Sequence, residues 1–397
     1  MQPSQDLTRQ RIRSIDLLRG IIMIIMALDH VRDFFHQPAM ITDPLNLDTT
    51  TPPIFFTRVI THFCAPVFVF LSGLSAYLVG LRKTKAELGH FLLKRGIWLI
   101  FVEIVIMSFV LTFNPNYNFI LLGVIWAIGW SMIILGLLVR GSYALVLIVG
   151  FIIFVGHNIL DYVQLPDGKV SFVFWRTLLT SPGTLLPVGG NHFFLVGYAI
   201  LPWAAIMFLG YAMGKLYAKE FDPIRRRKIL WQIGLGLITL FLLLRLPNLY
   251  GDPNKWETQS TTIYSVLSFF RVTKYPVSLQ YACMTLGPAL IFLAVSENWN
   301  NRFTRFATVY GSVPFFYYVV HFFLIHLVCM AVFFATGHSM AEAVDPNSLF
   351  VFRPVKFGFP LWIVYLFWMG IVLALYLPCK WYSDYKRRNR YWWLSYL

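Results

Sequence analysis

Charge is the scarcest property of this chain. Only 13% of its 397 residues are Asp, Glu, Lys or Arg, against roughly 25% in a soluble domain. So few charges cannot cover a water-facing surface, which excludes an ordinary soluble globular protein. Acidic residues are scarcer still: 18 Asp and Glu stand against 33 Lys and Arg, leaving a formal net charge of +15. The basic residues sit in short segments between apolar blocks, so the excess reads as a topology signal, and no nucleic-acid partner is expected. Cysteine is sparse. Cys64, Cys283, Cys329 and Cys379 are scattered in or beside apolar blocks. They have neither metal-ligand spacing nor the pattern of a disulfide framework, and are expected to be small buried apolar residues. There is no internal repeat and no low-complexity tail. The N-terminus is polar through Arg13 and lacks a cleavable signal pattern, so the first apolar block is expected to stay as an anchor.

What the sequence does have is hydrophobicity. Apolar residues make up 58% of the chain, in blocks of about twenty, the length that crosses a hydrocarbon core. The blocks are continuous rather than alternating, which favours helices over a barrel. Spans are expected at 15–36, 55–81, 91–113, 118–139, 142–163, 193–217, 229–249, 277–296, 312–335 and 358–379. The expected fold is therefore an all-α polytopic membrane bundle of about ten transmembrane helices. It forms a single transmembrane domain over 1–397, with a short N-terminal segment (1–13) and a basic tail (380–397). Basic clusters fall at Arg9, Arg11 and Arg13, at Arg82 to Arg95, at Lys215 to Lys228, at Arg302 and Arg305, and at Lys380 to Arg390. Ten spans place all of these, and both termini, in the cytoplasm of an inner-membrane protein. The long loops at 164–192, 250–276 and 336–357 then face outward. Their Trp, Tyr, Phe, Asn and Pro make either an aromatic belt or a cover over an outward-facing cavity.

The first span is unusual. Asp16 and Arg19 lie at its inner end, and Asp29, His30, Arg32, Asp33 and His36 at its outer end. Ionisable side chains in a span are expensive and tolerated where they face a bundle interior and pair with one another. Arg19 and His30 differ by eleven residues, close to three full turns, so they share a face about 16 Å apart along the axis. Asp16 and Asp33 lie near that stripe. Asp29, Arg32, Asp33 and His36 have i, i+3, i+4 and i+7 spacing. They are either anchoring ion pairs at the interface or parts of a site. His30 beside Asp29, after a long apolar run, has the makings of a general base.

These residues carry a family resemblance. Arg13-Ser-Ile-Asp16-x-x-Arg19-Gly20, followed by an apolar run ending in His30, resembles the opening of the heparan-alpha-glucosaminide N-acetyltransferase-like membrane proteins. It is more distantly similar to the acyltransferase-3 membrane enzymes. Asn114-Pro115-Asn116-Tyr117, Phe68 to Gly73, Leu201-Pro202-Trp203 and Thr285 to Ala289 are similar to later segments of the first family, so the likeness runs through nearly the whole chain. The resemblance implies acyl transfer across a membrane. The donor would be acetyl-CoA or another acyl-CoA from the cytoplasm, with no permanently bound cofactor. The acceptor would be an amine or hydroxyl of an outer glycan or glycolipid. The first family's catalytic histidine falls near His36, and its asparagine at the helix end aligns with His30. In the acyltransferase-3 relatives the matching histidine is His30 itself.

The expected site follows. His30 or His36 is the base, supported by Asp29 or Asp33. Asp16 and Arg19 hold polar groups of the donor. Asn114, Asn116, Tyr117, Arg58, His62 and His321 contact the acceptor or the oxyanion. Arg58 has an alternative as a structural partner of Asp33. His321 and His326 are about 140° apart on a helix, so one lines the cavity and the other packs. Glu103 and Arg245 read as glue between helices. A metal at Asp29, His30, Asp33 and His36 is disfavoured because Arg32 sits among the ligands. The competing functions are a proton-coupled transporter of a small solute or lipid-linked substrate, using the same charges as a relay, and a non-catalytic scaffold. The acceptor's identity, the amide or ester product and association into a homo-oligomer stay open.

Overall fold

The computed structural model describes residues 12–163, 170–181, 183–389 and 391–395. Arg9, Arg11 and Arg390 of the basic clusters lie outside them, as do 164–169 and 182 of the first long outer loop. In chain order the helices are α1 (Arg13–Phe35), α2 (Pro52–Thr61), α3 (Cys64–Gly80), α4 (Lys85–Phe101), α5 (Ser108–Thr112), α6 (Val124–Leu138) and α7 (Tyr143–Gly156). Then come α8 (Val170–Trp175), α9 (Ile200–Met213), α10 (Pro223–Arg245), α11 (Thr262–Phe270), α12 (Leu279–Val295), α13 (Arg302–Ser312), α14 (Pro314–Ala335) and α15 (Leu361–Arg388). A π-helical segment, Val102–Met107, joins α4 to α5 without a break.

Among the described residues, seven helical stretches are long and apolar enough to cross a membrane: 52–80, 85–112, 143–162, 200–217, 223–245, 314–335 and 361–388. The helices α6 and α12 are apolar but shorter. The 23 residues of α1 are long enough, but its own charges keep it out of that set.

Local chemistry sets the ends. Thr84 and Glu87 form a reciprocal capping box at the start of α4, and Asn301 and Thr304 do the same for α13. Pro314, at the first position of α14, separates it from α13. Residues 62 and 63 divide α2 from α3. Pro66 has no N–H, so the His62 carbonyl lacks its i+4 donor; the Tyr281 hydroxyl supplies one at 2.7 Å.

Helices meet through small residues. The helices α1 and α13 cross at Gly20 and Gly311, and α3 and α9 at Gly73 and Gly210. A Cβ on Gly73 would lie 1.9 Å from the Met207 carbonyl oxygen, and one on Gly210 2.1 Å from that of Phe70. Backbone on both sides leaves nothing free to move. Gly73→Val is therefore expected to cost about 3 kcal/mol or more, the upper range of overpacking. Thermal unfolding of the detergent-solubilised protein checks this; an unchanged melting temperature refutes the close crossing. The most enclosed apolar stretch is 200–217, 72% buried, whereas 223–245 is only 17% buried, so α9 is central and α10 peripheral.

Two expected spans begin later than their hydrophobicity indicates. Phe119–Leu122 is a strand, β1, and α6 starts only at Val124. His192–Val196 is a strand, β3, and α9 starts at Ile200. With β2 (Thr184–Gly189) they form a three-stranded sheet in the order β1-β3-β2, so the fold is mostly helical rather than all-α. β1 runs parallel to β3, with Phe119 opposite Phe193 and Leu122 opposite Val196. β2 is antiparallel to β3, and Gly189 and Gly190, at φ 117° and 57°, make the hairpin turn between them.

Candidate active site

The outer end of α1 stays helical to Phe35, so Asp29, Arg32 and Asp33 stack on one side. Asp29 is buried and pairs with two guanidiniums: Arg32 Nη2 lies 3.0 Å from its Oδ1, and Arg58 of α2 donates to its Oδ2. Arg32 Nη2 also donates to Asp33 Oδ1 at 2.8 Å. Arg58 thus pairs with Asp29, not with Asp33 as the alternative reading has it. The helix spacing leaves both carboxylates available, and the position of α2 selects the deeper one.

Asp33 is the carboxylate nearest His30, with Oδ2 4.0 Å from Nδ1. That is beyond a hydrogen bond. The His30 ring packs 4.0 Å from the Phe322 ring and 5.3 Å from the His321 ring, centroid to centroid. His321 Nδ1 sits 3.0 Å from the Tyr317 carbonyl, so this nitrogen carries the proton. Its Nε2 has no hydrogen-bond partner among the described residues.

A cavity of about 240 Å³ opens beside these groups. Asp29, His30, Asp33 and Arg58 line it from α1 and α2; Glu103 and Lys274 line it from the π segment and the second long outer loop, 250–276. It is smaller than the roughly 300–1,000 Å³ of drug-sized sites, so it suits a sugar ring or the end of an acyl thioester, not a whole nucleotide. Parts of two expected loops, 250–276 and 336–357, close over it through Lys274, Tyr275 and Phe350.

Other expected residues fall elsewhere. His36 follows the last helical residue at φ −85° and ψ 121°, so the i+7 relation to Asp29 ends there. Its carbonyl accepts from Arg353 Nη2 at 2.7 Å, and its backbone bridges to Phe359. His36 is buried but does not line the cavity. The innermost α1 residue that does is Met26, about 10 Å short of Arg19. Arg19 donates to Asp16 Oδ1 at 3.0 Å, to the Gly311 carbonyl at 3.2 Å and to Ser75 Oγ at 2.9 Å. Asp16 and Arg19 therefore tie α1 to α3 and α13, and neither lines the cavity that His30 lines.

Asn114, Asn116 and Tyr117 form a turn instead of facing the cavity. Asn114 Oδ1 accepts from the Asn116 amide at 3.0 Å, and the Tyr117 hydroxyl donates to the Val105 carbonyl at 2.9 Å. His62 is fully buried against Tyr281, off the cavity. His326 lies between the Val110 and Val351 carbonyls at 3.2 and 2.8 Å and stacks on Phe113, so it packs while His321 approaches His30. Asp29, His30, Asp33 and His36 do not assemble into a metal-ligand group among the described residues.

Sequence reasoning missed Lys274, Tyr275, Tyr198 and the cavity role of Glu103. The aromatic richness of the outer loops was a signal for Lys274 and Tyr275, whereas Tyr198 fell inside an expected span, 193–217. Lys274 Nζ lies 5.8 Å from the Tyr198 ring centre and 5.1 Å from that of Tyr275. Burial alone would raise the Tyr275 hydroxyl, but the Lys274 and Arg58 cations draw it below its ordinary value. Such a hydroxyl is a good donor to an oxyanion.

The loop carrying these groups is held from below. Asp252 accepts from the Thr273 amide at 2.8 Å, Thr273 Oγ1 at 2.9 Å and Ser278 Oγ at 2.7 Å. Arg245, at the end of α10, donates to the Phe269 carbonyl of α11 at 2.8 Å and to the Arg271 carbonyl just beyond it at 2.8 Å, so it glues helix to helix as expected and also holds the loop that follows α11. Asp252→Ala is expected to lower the melting temperature by about 2–8 °C, the loss of one to a few hydrogen bonds. Protease nicking between residues 250 and 276 should rise with it; unchanged nicking counts against the clamp.

The family described as heparan-alpha-glucosaminide N-acetyltransferase, catalytic, matches residues 11–248, which carry α1, Arg58 and Glu103. No curated protein matches the chain.

Proposed function

Because the chain belongs to the heparan-alpha-glucosaminide N-acetyltransferase catalytic family, and so is a multi-pass membrane protein of acetyltransferase type, we propose that it moves an acetyl or other short acyl group from cytoplasmic acyl-CoA to an amine or hydroxyl of an extracytoplasmic sugar or glycolipid. The observation that carries this is His30 at a lined cavity, with Asp33 at 4.0 Å. Ten crossing helices, with α1 among them and both termini cytoplasmic in an inner membrane, agree with the basic segments at Arg82 to Arg95 and Arg225 to Lys228.

In this reading the neutral His30 imidazole takes the proton from the acceptor's N–H or O–H as that atom attacks the thioester carbon. The C–S bond then breaks, and the CoA thiolate leaves with the proton that His30 returns. Asp33 favours the transient imidazolium, and Tyr275 and Lys274 face the oxyanion. The polar residues at the inner end, Asp16 and Arg19 with nearby lysines, meet the donor. The Arg19–Asp16–Ser75 seam has to part to admit the pantetheine arm. A transporter would use the same charges as a relay, but the family match does not favour it.

The test is transfer of labelled acetyl from acetyl-CoA to glucosamine, or to a lipid-linked amino sugar, by the full chain in detergent. Label in the acceptor and stoichiometric free CoA support the proposal. Solute flux in proteoliposomes with no CoA release refutes it.

A further inference from the structure

The cavity has a second wall that the transfer chemistry does not use. Glu103 lies on the π segment Val102–Met107 and is buried. Single π turns inside helices are frequent at functional sites, and the extra residue re-aims a side chain. Here one carboxyl oxygen is fixed: Oε1 accepts from the Gly123 amide at 2.8 Å, at the start of α6. A Cβ at position 123 would lie 2.6 Å from Oε1 and would push the carboxyl from this place. The other oxygen, Oε2, is buried and has no hydrogen-bond partner among the described residues. Glu103 lines the same cavity as His30. A buried carboxyl oxygen left without a donor is costly, and native structures retain one where something else supplies the donor.

We propose that Glu103 is an acceptor-binding residue, its free carboxyl oxygen taking a hydrogen bond from a hydroxyl or ammonium of the acceptor. This rests on the acyltransferase reading for the word acceptor, but the binding claim is separable from the chemistry. The two substrates differ in what they offer a carboxyl. An acetyl thioester presents a carbonyl, a sulfur and a methyl group, none of which donates. An amino sugar presents several O–H and N–H donors. The cations lining the cavity, Arg32, Arg58 and Lys274, lie near Asp29, Asp33 and Tyr275 on the α1 and outer-loop side, and among the described residues none forms an ion pair with Glu103. The ligand that satisfies Glu103 therefore carries polar hydrogens and enters with one donor toward His30 and another toward the π segment.

The discriminating variant is Glu103→Gln. It keeps the shape and an oxygen for the Gly123 amide, but turns an NH2 donor toward the cavity where an acceptor stood. The full chain in detergent is assayed with labelled acetyl-CoA and glucosamine, alongside acceptor-free hydrolysis of acetyl-CoA and glucosamine binding by calorimetry without donor. The expected result is a rise of roughly threefold to tenfold in the KM and Kd for glucosamine, the loss of one hydrogen bond. The KM for acetyl-CoA and the acceptor-free hydrolysis should hold within about twofold. Unchanged glucosamine KM and Kd, or a lower kcat at constant KM, overturns the assignment. If the wild type binds glucosamine but transfers no acetyl, and Glu103→Gln binds it more weakly, the acyltransferase reading fails and the Glu103 site stands. If neither protein binds glucosamine, the Glu103 site falls.

Discussion

Replacing His30 by alanine is expected to lower acetyl transfer by about 10²–10⁴-fold, the usual contribution of a positioned general base. The loss should appear in kcat, with the KM for donor and acceptor changed by less than about threefold, because the imidazole's work is done as the proton moves. The physical ground is placement. His30 stands where α1 meets the cavity, its ring packed against Phe322 and His321, with Asp33 on the same helix face one turn on.

His36→Ala is the paired measurement. His36 is fixed through its carbonyl by Arg353 and contributes nothing to the cavity lining, so its loss should change kcat by less than about fivefold. Should the two variants exchange behaviour, with His36→Ala inactive and His30→Ala active, the cavity has been assigned to the wrong imidazole. His30→Gln, which keeps a polar side chain of similar length, separates a lost base from a collapsed pocket. It should be as slow as the alanine variant while melting like the wild type.

How far the sequence revealed this site depends on the range of the interaction involved. The charged face of α1 was legible because it contradicts its surroundings: Asp29, His30 and Asp33 close a long apolar run, and lipid would not tolerate them. Helix spacing also placed Asp29, Arg32 and Asp33 together. What spacing could not supply was the partner from another element. Arg58 had two carboxylates one turn apart to choose from, and only the crossing of α2 with α1 decides for Asp29. The sheet was hidden for a different reason. Phe119–Leu122 and Phe193–Val196 are short apolar runs, and hydrophobicity alone does not distinguish such a run from the first turn of a buried helix. Gly123 and Gly197, each just after a strand, were the available breaker signals. The role of Glu103 was out of reach, because a π turn leaves no mark in the sequence. The chain there reads as continuous helix, and one extra residue per turn changes which side chain meets the cavity.

The other large effect is on stability. Asp29→Ala is expected to destabilise the protein by about 3–5 kcal/mol, the range for breaking a buried ion pair by removing one partner. Two guanidiniums converge on this carboxylate, and the three side chains are only 10%, 5% and 13% exposed for Asp29, Arg32 and Arg58. Without Asp29, Arg32 keeps Asp33 at 2.8 Å, but Arg58 loses its partner and stays as a buried cation. That asymmetry makes a further variant informative. Asp29→Leu with Arg58→Met removes both charges and refills the volume with apolar atoms, and buried pairs replaced in this way are often neutral or stabilising. The double variant should therefore melt closer to the wild type than Asp29→Ala does, even though it carries more changes. Thermal unfolding of the three proteins in the same detergent reads the difference directly. If the double variant is no more stable than Asp29→Ala, the cost lies in lost packing contacts rather than in an orphaned charge, and the paired arginines cease to explain why Asp29 is buried in this helix.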